Sequence, residues 1–159
     1  MSAPPALQID ALTRDFTVGR RTQRAVDGVS LSLARGETLG IVGESGCGKS
    51  TLARMILKLI APTSGRIALK GEDVTDLPER VMRPKRRHLQ AVFQDPMSSL
   101  NPRLTVRDIV GEPLRRIDMS AAARNARVVE MLDLVGLPRD AAERYPHAFS
   151  GGQRQRIAI

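Results

Sequence analysis

The residues from Gly43 to Thr51, GESGCGKST, carry the most specific chemistry in the chain. Their spacing is G-x-x-x-x-G-K-[ST]. In that pattern glycines let backbone N–H groups turn inward around phosphates, and a lysine and a hydroxyl complete the cradle. A turn that merely caps a helix would account for Gly43, Gly46 and Gly48, but not for Lys49 followed by Ser50. Lys49 is expected to reach the β- and γ-phosphates of ATP, and the Ser50 hydroxyl to serve Mg²⁺. Glu44, Ser45, Cys47 and Thr51 complete the expected ATP-binding set. Cys47 is either a small residue that simply fits or a reactive thiol beside Lys49 that bound ATP would shield.

Such a loop needs a strand in front of it and a helix behind it. Leu39 to Val42 is a nearly continuous apolar run, which predicts a strand covered on both faces. Leu52, Met55, Ile56, Leu59 and Ile60 form one stripe at helical period, predicting a helix over 48–60 that Pro62 and Gly65 end. Upstream, Leu7, Ile9 and Leu12 predict a short strand, followed by a polar, Arg-rich connection from Gly19 to Arg24. Val29, Leu31 and Leu33 alternate with Ser30, Ser32 and Ala34, as in a half-buried strand. RIALKGEDV reads as a strand with a Gly turn inside it, and HLQAVF, 88–93, as a further strand. After Thr105 the apolar spacing becomes helical, as at Val128, Met131, Leu132 and Val135. Ser120 is the expected N-cap of that helix, and Gly136 with Pro138 its stop. This change of texture places a subdomain boundary near Asp95.

Composition narrows the class without naming a function. With 42% hydrophobic and 26% charged residues in 159, the chain can fold around a largely aliphatic core. No apolar run approaches the roughly 18 residues of a spanning helix. The first ten residues lack the pattern of a secretory signal. One cysteine forms no internal disulfide, which suits a reducing compartment. The net charge of +8 invites a nucleic-acid reading, but no aromatics interleave with the basic cluster RPKRRH at 83–88, so a solvated basic surface explains it as well. His88 and His147 stand apart and make no metal site.

A second motif, FSGGQ at 149–153, resembles the signature sequence of ABC ATPases, with Phe149 where Leu is usual. Gln94 ends an apolar run where that family carries its Q-loop glutamine. VFQDPMSSLNPRLTV and the phosphate-loop region look like the ATP-binding subunits of oligopeptide, dipeptide and nickel importers, with a leaning toward the second of their two ATPase types. The resemblance implies an α/β fold: a P-loop NTPase core of the ABC ATPase kind, with an antiparallel β subdomain, a helical subdomain, and the C-terminal part of the core missing. The division it implies is 1–94 for the β subdomain and core, 95–150 for the Q-loop and helical subdomain, and 151–159 for the start of the post-signature helix.

By the same resemblance Phe16 stacks on adenine, and Gln94 with Lys49 belongs to the catalytic set. Gln94 also joins Ser50 at Mg²⁺. Ser150, Gly151, Gly152 and Gln153 face the ATP of an opposite subunit. The implied partners are a second ATP-binding subunit, two transmembrane permease subunits and, indirectly, a solute-binding protein, at the cytoplasmic face of a bacterial membrane. No nucleic acid is expected. An ABC-type ATPase of DNA repair or chromosome maintenance, and a non-catalytic remnant, are the alternatives. The family's Walker B strand and switch His would follow Ile159, so this chain alone is expected to bind ATP weakly and not to turn it over.

Overall fold

The computed structural model describes residues 3–93 and 99–159, so Gln94 and the expected boundary at Asp95 lie outside the described residues. The chain divides into two compact units, residues 1–91 and 92–159.

In the first unit, β1 (Leu7–Val18) and β2 (Arg21–Leu33) make a long antiparallel hairpin. Strands β3 (Ser64–Leu69) and β4 (Glu72–Asp73) extend it to a four-stranded antiparallel sheet of order β2-β1-β3-β4. Ile9 stands opposite Leu31 on one side and Ile67 on the other, so directly paired residues put apolar groups on one face. That face, with Leu12 and Val26, packs against Leu52 and Met55 of helix α1 (Lys49–Ile56). Val74 and Met82, the latter in the short helix α2 (Glu79–Met82), complete the core. Burying each such side chain is worth about 1.5–3 kcal/mol, which is what turns the apolar stripe of α1 toward the sheet.

The hairpin is longer than its hydrophobic alternation predicts. The expected connection from Gly19 to Arg24 is a two-residue turn, Gly19-Arg20, and then the beginning of β2. Here polar pairs take over the work of apolar ones: Arg24 lies opposite Asp15 and bonds it at 2.9 Å.

Helix α1 is shorter than its stripe. Lys58 takes a left-handed conformation with φ 55°. Its N–H bonds the Met55 carbonyl, and the Leu59 N–H reaches back to the Arg54 carbonyl, both at 2.9 Å. This is the paired closure of a Schellman motif, with lysine where glycine is usual. The Arg86 guanidinium donates to the carbonyls of Leu57 at 3.1 Å and Lys58 at 3.4 Å, and Glu79 holds it at 2.8 and 3.0 Å. Leu59 consequently leaves the buried stripe and is 54% exposed.

Two expected strands do not form. Leu39–Val42 joins no ladder among the described residues, and neither does any part of 88–93, where His88 instead ends a 3₁₀ turn, Arg83–His88. Val42 is 96% exposed and Phe93 55%. An apolar run becomes a buried strand only when neighbouring strands take up its backbone N–H and C=O groups. The antiparallel sheet supplies no such neighbours to either run, so the parallel pairing implied by their composition is not found among the described residues.

The second unit is helical. Helices α3 (Val106–Gly111), α4 (Ala121–Leu134) and α5 (Gly151–Ala158) enclose Val106, Val128, Leu132, Leu137, Phe149 and Ile157. Ser120 caps α4 by accepting the Ala123 N–H at 3.1 Å. At its other end the Gly136 N–H bonds the Asp133 carbonyl at 3.0 Å and the Leu137 N–H bonds Leu132 at 2.9 Å. Both helix ends therefore fall where the sequence signals put them. Pro113 ends α3 early and starts a 3₁₀ turn, Pro113–Arg116.

Candidate nucleotide site

The phosphate loop precedes α1, and its shape follows from backbone demands at two glycines. Gly46 has φ 83° with open space around it, whereas Gly48 has φ 98° and is wedged against β2. A Cβ on Gly48 would lie 2.2 Å from the Ala25 carbonyl oxygen and 3.4 Å from Val26 Cγ2. Gly43 has a different role, since its φ is not left-handed. A Cβ there would meet Cys47 Sγ at 2.7 Å, so Gly43 makes room for the thiol and does not relax the backbone.

Gly48 is the N-cap of α1 and supplies no side-chain cap, and the first turn holds no acidic residue. The first helical bond is from the Leu52 N–H to the Gly48 carbonyl at 2.9 Å. The N–H groups of Lys49, Ser50 and Thr51 precede it and point out of the helix end, where an anion is favoured. Lys49 Nζ donates to the carbonyls of Gly43 at 2.6 Å and Glu44 at 2.5 Å, and lies 3.5 Å from Cys47 Sγ. The lysine is thus folded over the loop it belongs to, and a phosphate entering the loop would exchange those carbonyls for its own oxygens. Glu44, Ser45, Cys47 and Ser50 are exposed, and Thr51 is half-buried.

Phe16 lies on β1 opposite Gln23 of β2, two residues along the strand from Ala25. At about 3.3 Å per residue and just under 5 Å between strands, the ring's strand position lies on the order of 10 Å from the wedge at Gly48. Phe16 is 38% exposed, and the Arg14 guanidinium carbon sits 4.7 Å over its ring centroid. Motif reasoning missed Arg14. The available signal was its place two residues before Phe16, which puts both side chains on one face of a strand.

In the second unit Ser150 caps α5. Its hydroxyl accepts the Gln153 N–H at 3.4 Å, and Gln153 Oε1 accepts the Ser150 N–H at 3.0 Å, a reciprocal capping box. A Cβ on Gly151 or Gly152 would meet nothing within 4 Å, so the helix end presents bare backbone. Phe149 is 5% exposed and plugs the core of this unit, which explains how an aromatic serves at the first position of the motif. Arg154 also escaped sequence reasoning. Its guanidinium donates to the carbonyls of Pro146 at 2.7 Å and His147 at 3.3 Å, bracing the turn that leads into Ser150.

No cluster of three or more His, Cys, Asp or Glu side chains able to hold a metal occurs among the described residues. A single exposed hydroxyl at Ser50 suits a cation such as Mg²⁺, which keeps waters and takes phosphate oxygens, and not one that needs a protein cage. The pKa of His88 is pushed down, first by burial and then by the charges of Lys70, Arg87 and Lys85. Arg87 donates to its ring nitrogen at 3.2 Å.

A family described as ABC transporter matches residues 26–159. The chain is 56% identical over 138 residues, 86% of its length, to the oligopeptide transport ATP-binding protein AppF of Bacillus subtilis, and covers 42% of that protein. It is 55% identical over 136 residues, again 86% of its length, to the oligopeptide transport ATP-binding protein OppD of Mycobacterium tuberculosis, of which it covers 22%. The ATP-binding cassette MJ0796, solved as a dimer in a post-hydrolysis state bound to ADP and Pi, matches with a TM-score of 0.82 at 32% identity. That match covers 96% of this chain and 66% of the other. The chain spans about half the length, or less, of the curated relatives it matches.

Proposed function

Because the chain belongs to the ABC transporter family and has the α/β fold of an ATP-binding cassette, we propose that it binds MgATP as part of the energy-coupling ATPase subunit of a bacterial peptide importer. Residues 43–51 hold the phosphates, Phe16 stacks on the base, and the Ser150–Gln153 helix end serves the nucleotide of an opposite subunit. Residues 1–94 then form the nucleotide-holding part, 95–150 the helical part, and 151–159 the start of the helix after the signature. Mg²⁺ would be held by the Ser50 hydroxyl, joined by Gln94, and would neutralise phosphate charge. The partners are a second ATP-binding subunit and two membrane permease subunits, with a solute-binding protein delivering the peptide. The place of work is the cytoplasmic face of the membrane. ATP hydrolysis coupled to transport is the activity of the whole assembly.

The observation that carries this reading is the wedge at Gly48. Seated closely against the Ala25 carbonyl, the loop exposes the first N–H groups of α1 while Lys49 arches over it. A preorganised ring of donors with one mobile cation stabilises phosphate charge without further reorganisation. The peptide-transport names of the relatives AppF and OppD support the substrate class. They lend nothing to a role in DNA repair.

Fluorescent ATP titrated against this chain in Mg²⁺ tests the reading. The expected result is saturable binding that Lys49→Ala weakens at least tenfold. Binding by the natural chain no tighter than by Lys49→Ala would sink it.

A further inference from the structure

Among the described residues of the first unit, Arg14 is the one cation tied by ring geometry to Phe16. Its Nη1 donates to the Ala61 carbonyl at 2.8 Å, just beyond the end of α1, and its carbon centre lies 4.7 Å over the Phe16 ring. Its Nε is buried and has no hydrogen-bond partner among the described residues. A long, flexible arginine normally leaves its polar atoms in water. Sequestering one donor without a partner is unfavourable, so the placement of the flat group over the ring has to offset it.

Arginine is suited to this position where lysine is not. A planar guanidinium donates in its own plane to Ala61 while offering its face to an aromatic ring. An ammonium would have to make both contacts with its single nitrogen, without a flat face to lay on the ring. Phe16, near the end of β1, stacks on no other ring among the described residues, and it keeps 38% of its surface open.

We propose that Arg14 is a positioning residue for nucleotide binding: anchored on Ala61, it backs the Phe16 ring and fixes it in the orientation in which the open face receives the adenine base. This rests on the reading of Phe16 as the base-stacking residue. Arg14 touches the ring and not the nucleotide, so its contribution concerns the base and leaves the phosphates alone. The same contact ties the base end of the site to the segment after α1, whose other end closes the phosphate loop.

The test compares two ligands on the full chain in Mg²⁺: ATP, and inorganic tripolyphosphate, which lacks the base. Affinities are measured by displacement of fluorescent ATP. Arg14→Lys and Arg14→Gln are expected to weaken ATP by about three- to tenfold and to leave tripolyphosphate unchanged. Phe16→Ala should weaken ATP at least as much, and adding Arg14→Lys to it should cause no further loss. Equal weakening of both ligands would show that Arg14 acts only through the packing of α1, and would overturn the proposal. So would an unchanged ATP affinity in both Arg14 variants. If Phe16→Ala leaves ATP binding intact while Lys49→Ala abolishes it, base stacking by Phe16 fails and the proposal with it, but the phosphate loop stands.

Discussion

Gly48→Ala separates the mechanical account of the phosphate loop from the view that its glycines merely provide flexibility. At φ 98° any L residue is strained, at a cost of roughly 1–2 kcal/mol. The added Cβ would also sit 2.2 Å from the Ala25 carbonyl oxygen, a backbone atom inside β2 that cannot rotate away. Relieving that overlap means moving the loop or the strand by most of an ångström, and overpacking of this kind costs about 1–3 kcal/mol more. The sum is about 3 kcal/mol, or roughly a hundredfold in an equilibrium constant. It should appear as lost stability, lost ATP affinity, or a division between them. Gly46→Ala is the matched control. Its φ of 83° carries the same kind of strain, but nothing lies within 4 Å of the new atom, so the expected cost is about 1 kcal/mol. Urea denaturation followed by circular dichroism, together with fluorescent-ATP titration, measures both components for each variant. If the two substitutions cost the same within error, the wedge against β2 is not what shapes the loop.

Three further outcomes follow from contacts elsewhere. Arg86→Ala removes the donor that caps the carbonyls of Leu57 and Lys58. It should destabilise the first unit by about 1 kcal/mol in urea melts, since the group is partly exposed and the bonds are charge-assisted. Cys47, exposed and 3.5 Å from Lys49 Nζ, should react quickly with maleimide and be protected by MgATP. Equal labelling with and without nucleotide would count against an ATP-occupied loop. Asp73 has its pKa lowered, first by the Thr75 hydroxyl and then by the Thr75 N–H. Its stabilising contribution is therefore complete above the ordinary carboxylate value of about 4 and is lost as pH falls from there through the lowered one. Acid titration of stability should show this loss in the natural chain and a smaller one in Asp73→Asn.

Local signals in the sequence were enough wherever the structure is decided locally. The phosphate-loop pattern, the Ser120 cap and the Gly136 stop each depend on a few neighbouring residues, and each stands where its residue types place it. Three features depend on distant partners and were not legible. Leu39–Val42 and residues 88–93 have strand composition, but a strand is a relation between two chains of backbone groups, and composition does not supply the neighbour. The end of α1 was hidden because lysine is a poor advertisement for a left-handed C′ position. The residue that caps the freed carbonyls, Arg86, lies 28 positions from Lys58. The hairpin reached beyond its apolar alternation because Asp15 and Arg24 hold it by charge. At the candidate site the residues proposed to bind phosphate were legible as a motif. The wedge partner Ala25 and the ring partner Arg14 were not, since each acts through a backbone carbonyl or a ring face that no motif encodes.

The two ends of the site share one ruler. Gln23, Arg24 and Val26 of β2 pair with Phe16, Asp15 and Arg14 across the hairpin, and the unpaired Ala25 among them presents the carbonyl against which Gly48 is seated. The distance from ring to phosphate loop is therefore set by strand rise, pairing register and the one irregularity at Ala25, all fixed once the ladder is formed. A register slip of one residue would turn every side chain of β2 to the other face and take Val26 out of the core. Register irregularities fall between Ile9 and Leu12, between Leu12 and Arg14, and between Arg14 and Asp15, the last of them at Ala25 itself. They bend the strand while Val26, 6% exposed, pins it. On the proposed reading of Phe16, the hairpin would thus set how far apart the base and the phosphates of a bound nucleotide lie.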